Sequence, residues 1–326
     1  MKAVVATKYG PPDVLRLKEV EKPAPKDNEV LVKIYATTVN ATDPMGRAGK
    51  PFLARLVPLS LTKPKNPILG NEFAGEIKAV GKDVTLYKED DQVYGCRMES
   101  GTHAEYVCMP EKKVLAIKPV NITYEEAAAI PGGALTSLIF LRDKGNIQSG
   151  QKVLVYGASG SVGTAAIQLA KHFGAKVTGI CSTANLEMVK SLGADNVIDY
   201  TQEDYTKSGE TYDIIYDTVG KTSFSRCKGA LKKNGIFLET FPEPGIMLQM
   251  LWTSKVGSKK AIFTASSFKF TGEDLSFITG LVEAGEIKPV VDRIYALEQM
   301  AEAHRYVETG HKKGNVVITV EHTNKT

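Results

Sequence analysis

The sequence predicts an α/β chain of two domains, one built on a doubly wound parallel sheet and the other mostly β. Three observations carry this. At 326 residues the chain is longer than one typical core serves, so two domains with sizeable interiors are expected. From Lys2 to Lys118 it reads as short β-branched runs broken by Pro and Gly. From Tyr124 the pattern changes to strands alternating with helical stretches, as in βαβ units around a parallel sheet.

The first part supplies KAVVAT, EVLVKIYATTV after the break PAPKDN, FAGEIKAVG, QVYGC, AEYVCM and VLAIKP, all of strand length with partial alternation. EEAAAI and the apolar run LTSLIFL then lead into KVLVYG, TAAIQLAKHFG, KVTGICS, LEMVKSLG, YDIIYDTV and GIFLET, which alternate strand and helix. After Thr271 a helix DLSFITGLVEAG, a strand VVDRIYAL, a helix EQMAEAHRYVETG and a strand NVVITV bring the β style back, so this end is expected to pack onto the first domain. The expected division is 1–122, 123–267 and a return segment 268–326.

Composition narrows the function class. Hydrophobic content of 43% with 24% charged residues fits a globular chain, and 41 Lys and Arg against 37 Asp and Glu leave +4 with no block of like charges, so no nucleic-acid partner is expected. No uncharged apolar stretch reaches about 18 residues, so no integral membrane association is expected. Pro11 and Pro12 interrupt the N-terminus before a signal-like apolar core can form. Cys96, Cys108, Cys181 and Cys227 are too widely spaced for a disulfide framework or a structural zinc site, which predicts free thiols in a reducing, cytoplasmic compartment.

The stretch QKVLVYGASGSVGTAAIQLAKHFGAKVTGICS carries the chemistry. A strand at Val153 to Tyr156 runs into Gly157, Gly160 and Gly163, then into an amphipathic helix and a second strand. This is the phosphate-binding turn of a dinucleotide fold. Gly160 lets the backbone approach a pyrophosphate, Gly163 lets helix and strand pack closely, and the amides of Ser161 and Val162 at the helix N-terminus, with hydroxyls from Ser159 and Ser161, face the anion. Ala158 stands where the usual pattern has its first Gly. The second strand ends in Cys181, Ser182, Thr183, Ala184 and Asn185, with no carboxylate before Glu187. NAD-binding proteins commonly place an acid there, so hydroxyl and amide donors at Ser182, Thr183 and Asn185, with Tyr200 on the adenine side, favour NADP, and the absence of an Arg keeps NAD open.

With KAVVATKYGPPDVL, VNATDPMGRAG, NEFAGEIKAVG, GTHAEYV, GGALTSL, GASGSVGTAAIQLAK, SLGADNVIDY, DTVG and EIKPVVDRIYALEQMAEAHRYVETGHKKGNVVITV, nearly the whole chain resembles the medium-chain dehydrogenase/reductases, and among them the zinc-free quinone oxidoreductases with their chloroplast-envelope and alkenal-reductase relatives. The resemblance implies a split GroES-like catalytic domain around a Rossmann domain, an NADP(H) cofactor and a homodimer. Zinc-dependent relatives carry Cys where VNATD has Asn40, His where NEFAGE has Asn71, and Cys or Asp near Pro131. Amides are poor zinc donors, so no metal is expected, and Glu72 is read as a buried anchor.

Without a Lewis acid, activated acceptors are favoured over simple alcohols, which points to quinones or α,β-unsaturated carbonyls. By resemblance Thr136 orients the nicotinamide carboxamide and Asn40 points at the nicotinamide and the substrate oxygen. Thr218 and Val219 lie along the cofactor, and Phe263 and Thr264 meet the nicotinamide edge. Gly314 and Asn315 fall where many relatives have Gly-Lys, and water is the default proton donor. Asn71 lines the substrate pocket. Phe52, Leu53, Leu56, Val57, Leu59 and Leu61, and the stretch IMLQMLWTSKV with Trp252, are read either as substrate pocket or as core or dimer packing. His304 and His311 are expected at the surface or at a helix cap, and Lys255, Lys259, Lys260, Lys312 and Lys313 as solvated charges. Two alternatives stay open: a 2-enoyl thioester reductase, and a non-catalytic NADPH-binding or RNA-binding protein of the crystallin type.

Overall fold

A computed structural model describes residues 1–50, 63–241, 245–264 and 270–322. Phe52, Leu53, Leu56, Val57, Leu59 and Leu61 lie outside the described residues. The chain divides into two compact units, Met1–Gly132 with Phe270–Glu283 and Pro289–Thr326, and Gly133–Lys269 with Ala284–Lys288.

The first unit opens with β1 (Lys2–Ala6) and β2 (Leu15–Glu19), an antiparallel pair. The long strand β3 (Glu29–Val39) is followed by a short helix α1 (Thr42–Ala48), β4 (Glu72–Val80), β5 (Gln92–Cys96), β6 (Tyr106–Pro110), β7 (Leu115–Ile117) and the helix α2 (Tyr124–Ala128). β3 is β-branched and buried along most of its length because β4, β6 and later a C-terminal strand all pair with it. Its register against β4 shifts between Ile34 and Ala36. Gly75 makes the shift possible, since a methyl group there would sit 2.0 Å from the Lys33 carbonyl oxygen. A capping box starts α2: Glu126 N donates to Thr123 Oγ1 at 3.2 Å and Thr123 N donates to Glu126 Oε2 at 2.9 Å. α2 packs on β3, β4 and β5, so the first unit runs on to Gly132, past the expected boundary at 122.

The helix α3 (Pro131–Leu138) leads into the second unit, where β8 (Lys152–Tyr156), α4 (Ser161–His172), β9 (Lys176–Cys181), α5 (Leu186–Ser191), β10 (Asn196–Asp199), β11 (Tyr212–Asp217), α6 (Phe224–Cys227), β12 (Leu231–Glu239), α7 (Ile246–Lys255) and β13 (Lys260–Phe263) follow. The six strands are parallel in the order β10-β9-β8-β11-β12-β13, the doubly wound Rossmann arrangement. Val153, Leu154, Val155, Ile215 and Tyr216 are fully buried, which is why these central strands read as continuous apolar runs. The order reverses between β8 and β11, so the switch point where such sheets bind ligands lies at their C-terminal ends.

The chain then returns through α8 (Gly272–Glu283), β14 (Val291–Ala296), α9 (Met300–Glu308) and β15 (Asn315–Thr319). β15 joins the first unit antiparallel to β3, and β14 pairs parallel to β15, giving a sheet ordered β14-β15-β3-β4-β5-β7 with β6 beside β3. The loop Ala284–Lys288 belongs to the second unit because Gln168 on α4 clasps it, donating to Lys288 O at 3.1 Å and accepting from Lys288 N at 2.8 Å. No helix among the described residues is long and apolar enough to cross a membrane.

Gly75→Ala is expected to lower stability by about 3 kcal/mol or more, because the added carbon meets backbone that cannot swing away. Thermal unfolding followed by circular dichroism against the unchanged chain checks it.

Candidate active site

The phosphate turn is built from three glycines that do different work. Gly157 has φ 82°, and a side chain there would meet Val219 Cγ1 at 2.6 Å and Thr218 Oγ1 at 2.8 Å. Gly163 brings α4 against the turn, where a methyl group would lie 2.1 Å from Gly157 O. Gly160 is different, since a methyl group there would meet nothing nearer than Gly157 O at 3.6 Å. Protein packing does not demand a glycine at this position, and its place at the helix N-terminus on the switch point suits close approach of a pyrophosphate. Gly160 is also the N-cap of α4 and has no side chain to cap it, so the first amides of the helix are free for an anion. The residues present therefore fit a dinucleotide pyrophosphate at Ser159, Gly160, Ser161, Val162 and Gly163.

Neighbouring elements are fixed around this turn. Asp217 at the end of β11 is fully buried, and its carboxylate accepts from the amides of Val219, Gly220, Lys221 and Thr222, each at 2.9 Å. Thr218 Oγ1 donates to Tyr156 O at 2.8 Å, tying β11 to β8 across the switch point and setting Val219 over Gly157. On α3, Gly133 approaches Ser161 so closely that a methyl group would lie 2.6 Å from Ser161 O, and Ser137 Oγ donates to Val162 O at 2.9 Å. Thr136, three residues after Gly133, shares that helix face and is nearly buried.

At the end of β9 the structure corrects one expectation. A carboxylate is present, supplied by β10: Asp199 pairs with Cys181 across the sheet and accepts from Thr183 Oγ1 at 2.5 Å. That bond, with others from Thr201, holds the Asp199 carboxyl below its usual range. The Thr183 proton is thus committed to Asp199. Asn185 is buried and donates to Ser182 Oγ at 3.1 Å, while its Oδ1 is buried without a partner. Tyr200 follows Asp199 and is half exposed. Phe263 packs in the core with Leu154, Ile246 and Phe237, so its ring is occupied, and the half-buried Thr264 follows it. Trp252 is 66% exposed on α7.

In the first unit a polar group gathers at one end of β3 and β4. Glu72 is buried. Its Oε2 accepts from Thr38 Oγ1 and its Oε1 from Gly132 N at 2.6 Å. Burial pushes its carboxyl up, and the Thr38, Gly132 and Asn40 hydrogen bonds pull the other way. Asn40 Oδ1 accepts from Thr42 N at 2.9 Å and Thr42 Oγ1 at 2.6 Å, so its amide is oriented by the first turn of α1. Asp43 accepts from Asn40 N at 2.8 Å and Gly70 N at 3.2 Å, and burial pushes its carboxyl up to about 7. Asn71 Nδ2 donates to Arg97 O at 2.7 Å, closing the loop after β5. Asn315 is buried against Val290 O, and the pairing of Val316 with Val39 brings it to the Asn40 end of β3.

Two further expectations are overturned here. Lys312 is half-buried rather than freely solvated. Its Nζ donates to Gly314 O at 2.5 Å, and burial pushes its pKa down to about 8 against the pull of Glu72 and Asp292. His304 lies in the interior, not at the surface, because α9 turns that face toward α1. Its Nδ1 accepts from Arg47 Nη1 at 3.1 Å, and Arg47, itself 1% exposed, also reaches Glu308 at 2.5 Å and Gly10 O at 3.0 Å. The ring stands 6.0 Å from that of His103, whose Nε2 donates to Thr38 O at 2.9 Å. These partners fix both tautomers, leaving an N–H at His304 Nε2 and a lone pair at His103 Nδ1 as the unpartnered buried atoms of the two rings. Burial holds both imidazoles neutral and lowers the His103 pKa to about 4.

Residues 26–119 match the alcohol dehydrogenase GroES-like domain, and residues 192–318 match the family described as zinc-binding dehydrogenase. A 2-methylene-furan-3-one reductase of Solanum lycopersicum is 37% identical over 98% of this chain and 79% of its own length. The chain belongs to the medium-chain dehydrogenase/reductases, in the quinone oxidoreductase family. Within that family an NADPH-dependent alkenal/one oxidoreductase of Arabidopsis thaliana is 35% identical over 98% of this chain and 79% of its own length. The solved quinone oxidoreductase of Coxiella burnetii superposes with a TM-score of 0.87 at 30% identity, covering 98% of this chain and 99% of that one. The seven-strand sheet of this reductase is thus its GroES-like domain and the six-strand sheet its Rossmann domain. Although one family description names zinc, Asn40 and Asn71 in this reductase are held by Thr42 and Arg97, and no three His, Cys, Asp or Glu side chains come together as a metal cluster among the described residues.

Asp199, Asp217, Thr38, Asp43 and Lys312 escaped sequence reasoning. Asp217 had a local signal, an acid opening the loop DTVGKT, and Asp43 a local partner in Asn40, whereas Asp199, Thr38 and Lys312 act through Thr183, Glu72 and Asp292, which lie further off in sequence.

Gly160→Val is expected to fold and melt like the unchanged chain, because the protein leaves that space open. It should bind NADPH at least about tenfold more weakly, ~1.4 kcal/mol, in a fluorescence titration. For His304, the folded pKa is depressed, so its contribution is fully present above about 6.5 and fades as pH falls. Lowering pH from 6.5 to 4.5 should therefore cost the unchanged chain up to about 2–3 kcal/mol more than His304→Gln, measured by denaturant unfolding. Asp43 and Glu72 titrate with the opposite sign in both proteins, so the difference isolates the imidazole.

Proposed function

We propose that this chain is an NADPH-dependent, zinc-independent reductase of quinones and α,β-unsaturated carbonyls. The observation that carries the reading is the open space at Gly160 beneath the uncapped N-terminus of α4, at the switch point of a Rossmann sheet. The relatives named for an enone, for alkenals and for quinones support the acceptor class, and the Arabidopsis relative's name supports NADPH.

Bound NADPH supplies the hydride. Ser159 to Gly163 hold its pyrophosphate through main-chain amides and hydroxyls. Ser182, Thr183 and Asn185 meet the adenosine ribose and its 2′-phosphate, with Tyr200 on the adenine. The Asp199 carboxylate behind Thr183 also suits a free ribose hydroxyl, which keeps NADH as a slower cofactor. Thr218, Val219, Phe263, Thr264, Gly314 and Asn315 border the cofactor, and Thr136 orients the carboxamide.

Asn40 carries the second half of the chemistry. With Oδ1 held by Thr42, its amide N–H groups are directed away from that turn as donors, one toward Glu72 and one for a substrate oxygen. An α,β-unsaturated carbonyl that accepts hydride at its β-carbon becomes an enolate, and a quinone that accepts it at a ring carbon becomes an enolate that tautomerises to the hydroquinone; in both a neutral donor stabilises the oxyanion without a metal. Asn71 lines the same amide-rich end of the sheet, and water returns the proton. The free thiols suit a reducing compartment such as the cytoplasm. A homodimer is the assembly that the resemblance to the quinone oxidoreductases implies.

NADPH consumption is expected with a quinone, an enone and an alkenal, and preference over NADH should reach at least about tenfold. Freshly purified protein should hold no stoichiometric zinc by elemental analysis. Turnover of none of the three acceptors, or one zinc per chain, overturns the reading.

A further inference from the structure

We propose that the exposed face of α7 is a peripheral docking surface for a membrane that carries anionic lipid. The helix is held to its own sheet by one side only. Ile246 and Thr253 are buried, and Met250 packs against the core cluster and accepts from Phe263 N through its sulfur at 3.2 Å. The other side has no partner among the described residues: Met247, Leu248, Leu251 and Trp252, with Val256 just beyond, are between 53% and 72% exposed. Spaced one and four apart, the four on the helix form a single stripe.

Charge decides what covers it. From Gly245 to Thr264 there is no acidic residue and no Arg, and the three lysines Lys255, Lys259 and Lys260 supply +3 of the chain's net charge of +4. Lys255 and Lys260 are exposed at the C-terminal end of the helix, and Lys259 donates to Lys228 O at 2.6 Å, which brings exposed Lys228 to the same end. None of Lys228, Lys255 and Lys260 meets a carboxylate among the described ion pairs. An apolar stripe of Trp, Leu and Met ending in ammonium groups suits the boundary of headgroups and acyl chains, where the stripe sinks in and the lysines meet phosphates. A second copy fits less well. An isologous contact is self-complementary, and this segment offers no acid to face its own lysines. At ten residues α7 lies in the interface and cannot cross it.

The chain has one tryptophan, Trp252, so the surface carries its own probe. The full chain is mixed with vesicles of equal parts phosphatidylcholine and phosphatidylglycerol, and with vesicles of phosphatidylcholine alone. Expected with the anionic vesicles are a blue shift of Trp252 emission, protection from acrylamide, and co-sedimentation that molar salt reverses. Binding to phosphatidylcholine alone should be at least about tenfold weaker. The variant Lys255→Glu/Lys260→Glu should pellet less, and Leu248→Ser/Leu251→Ser should lose the blue shift, each with its melting temperature retained. An unmoved emission with protein left in the supernatant overturns the proposal. So does a blue shift that appears on raising protein concentration without lipid, the mark of a second copy, or one that appears on adding quinone alone, the mark of a substrate wall. No readout uses turnover, so failure here and failure of the reaction assigned above are separate results.

Discussion

The buried carboxylate of Glu72 is the interaction on which the polar end of the GroES-like domain depends. It joins Thr38 on β3, its own strand β4 and the amide of Gly132 at the start of α3, three pieces of chain far apart in sequence. A side chain at Gly132 would displace that carboxyl, because a methyl group would lie 2.6 Å from Glu72 Oε1. A buried carboxyl is costly unless its lone pairs are satisfied, and removing one hydrogen-bond partner of such a group typically costs about 1–3 kcal/mol. The cost is met here by the short bonds from Thr38 Oγ1 and Gly132 N. The same anchoring orients Asn40, whose amide lies between Thr42 and Glu72, so the residue given the substrate oxygen is positioned by the residue that holds the scaffold.

The phosphate turn separates three physical reasons for glycine that one motif conflates. At Gly157 the backbone conformation and the Val219 side chain exclude a Cβ, and at Gly163 the Gly157 carbonyl does. At Gly160 neither applies. Folding accounts for the first two and leaves the third to function, which is why the space at Gly160 bears on a ligand while the others bear on stability. Asp217 belongs to the same logic, since its four amide bonds set the loop that closes over Gly157 before any cofactor arrives.

What sequence reasoning reached follows from where the information lies. The central strands β8 and β11 were legible because burial on both faces writes a continuous apolar run, and the turn after β8 because its glycines have local causes. Asp199 is not legible at the end of β9 because it reaches Thr183 from β10, the parallel neighbour of that strand. His304 was read as a surface residue because one polar residue on an amphipathic helix usually faces water. Its burial depends on Arg47, whose own burial depends on Gly10 and Glu308. Lys312 reads as solvated because it lies in a short polar loop after α9, and only the fold brings Glu72 and Asp292 within its field. The boundary beyond 122 moved because α2 carries a helical pattern yet spends its apolar side on the β sheet of the first unit.

The helix α7 shows the limit of hydropathy as a guide. Met247, Leu248, Leu251 and Trp252 recur at spacings that would equally describe a core helix, a dimer face or a pocket wall, and the pattern alone does not choose. The structure speaks against the first reading by burying the opposite side and leaving the stripe without a partner among the described residues. Lysines without acids then bear on the other two, because a pocket for neutral quinones gains nothing from an ammonium cluster and a self-complementary face gains a repulsion. An anionic lipid surface is the occupant to which both the stripe and the charge contribute in the same direction.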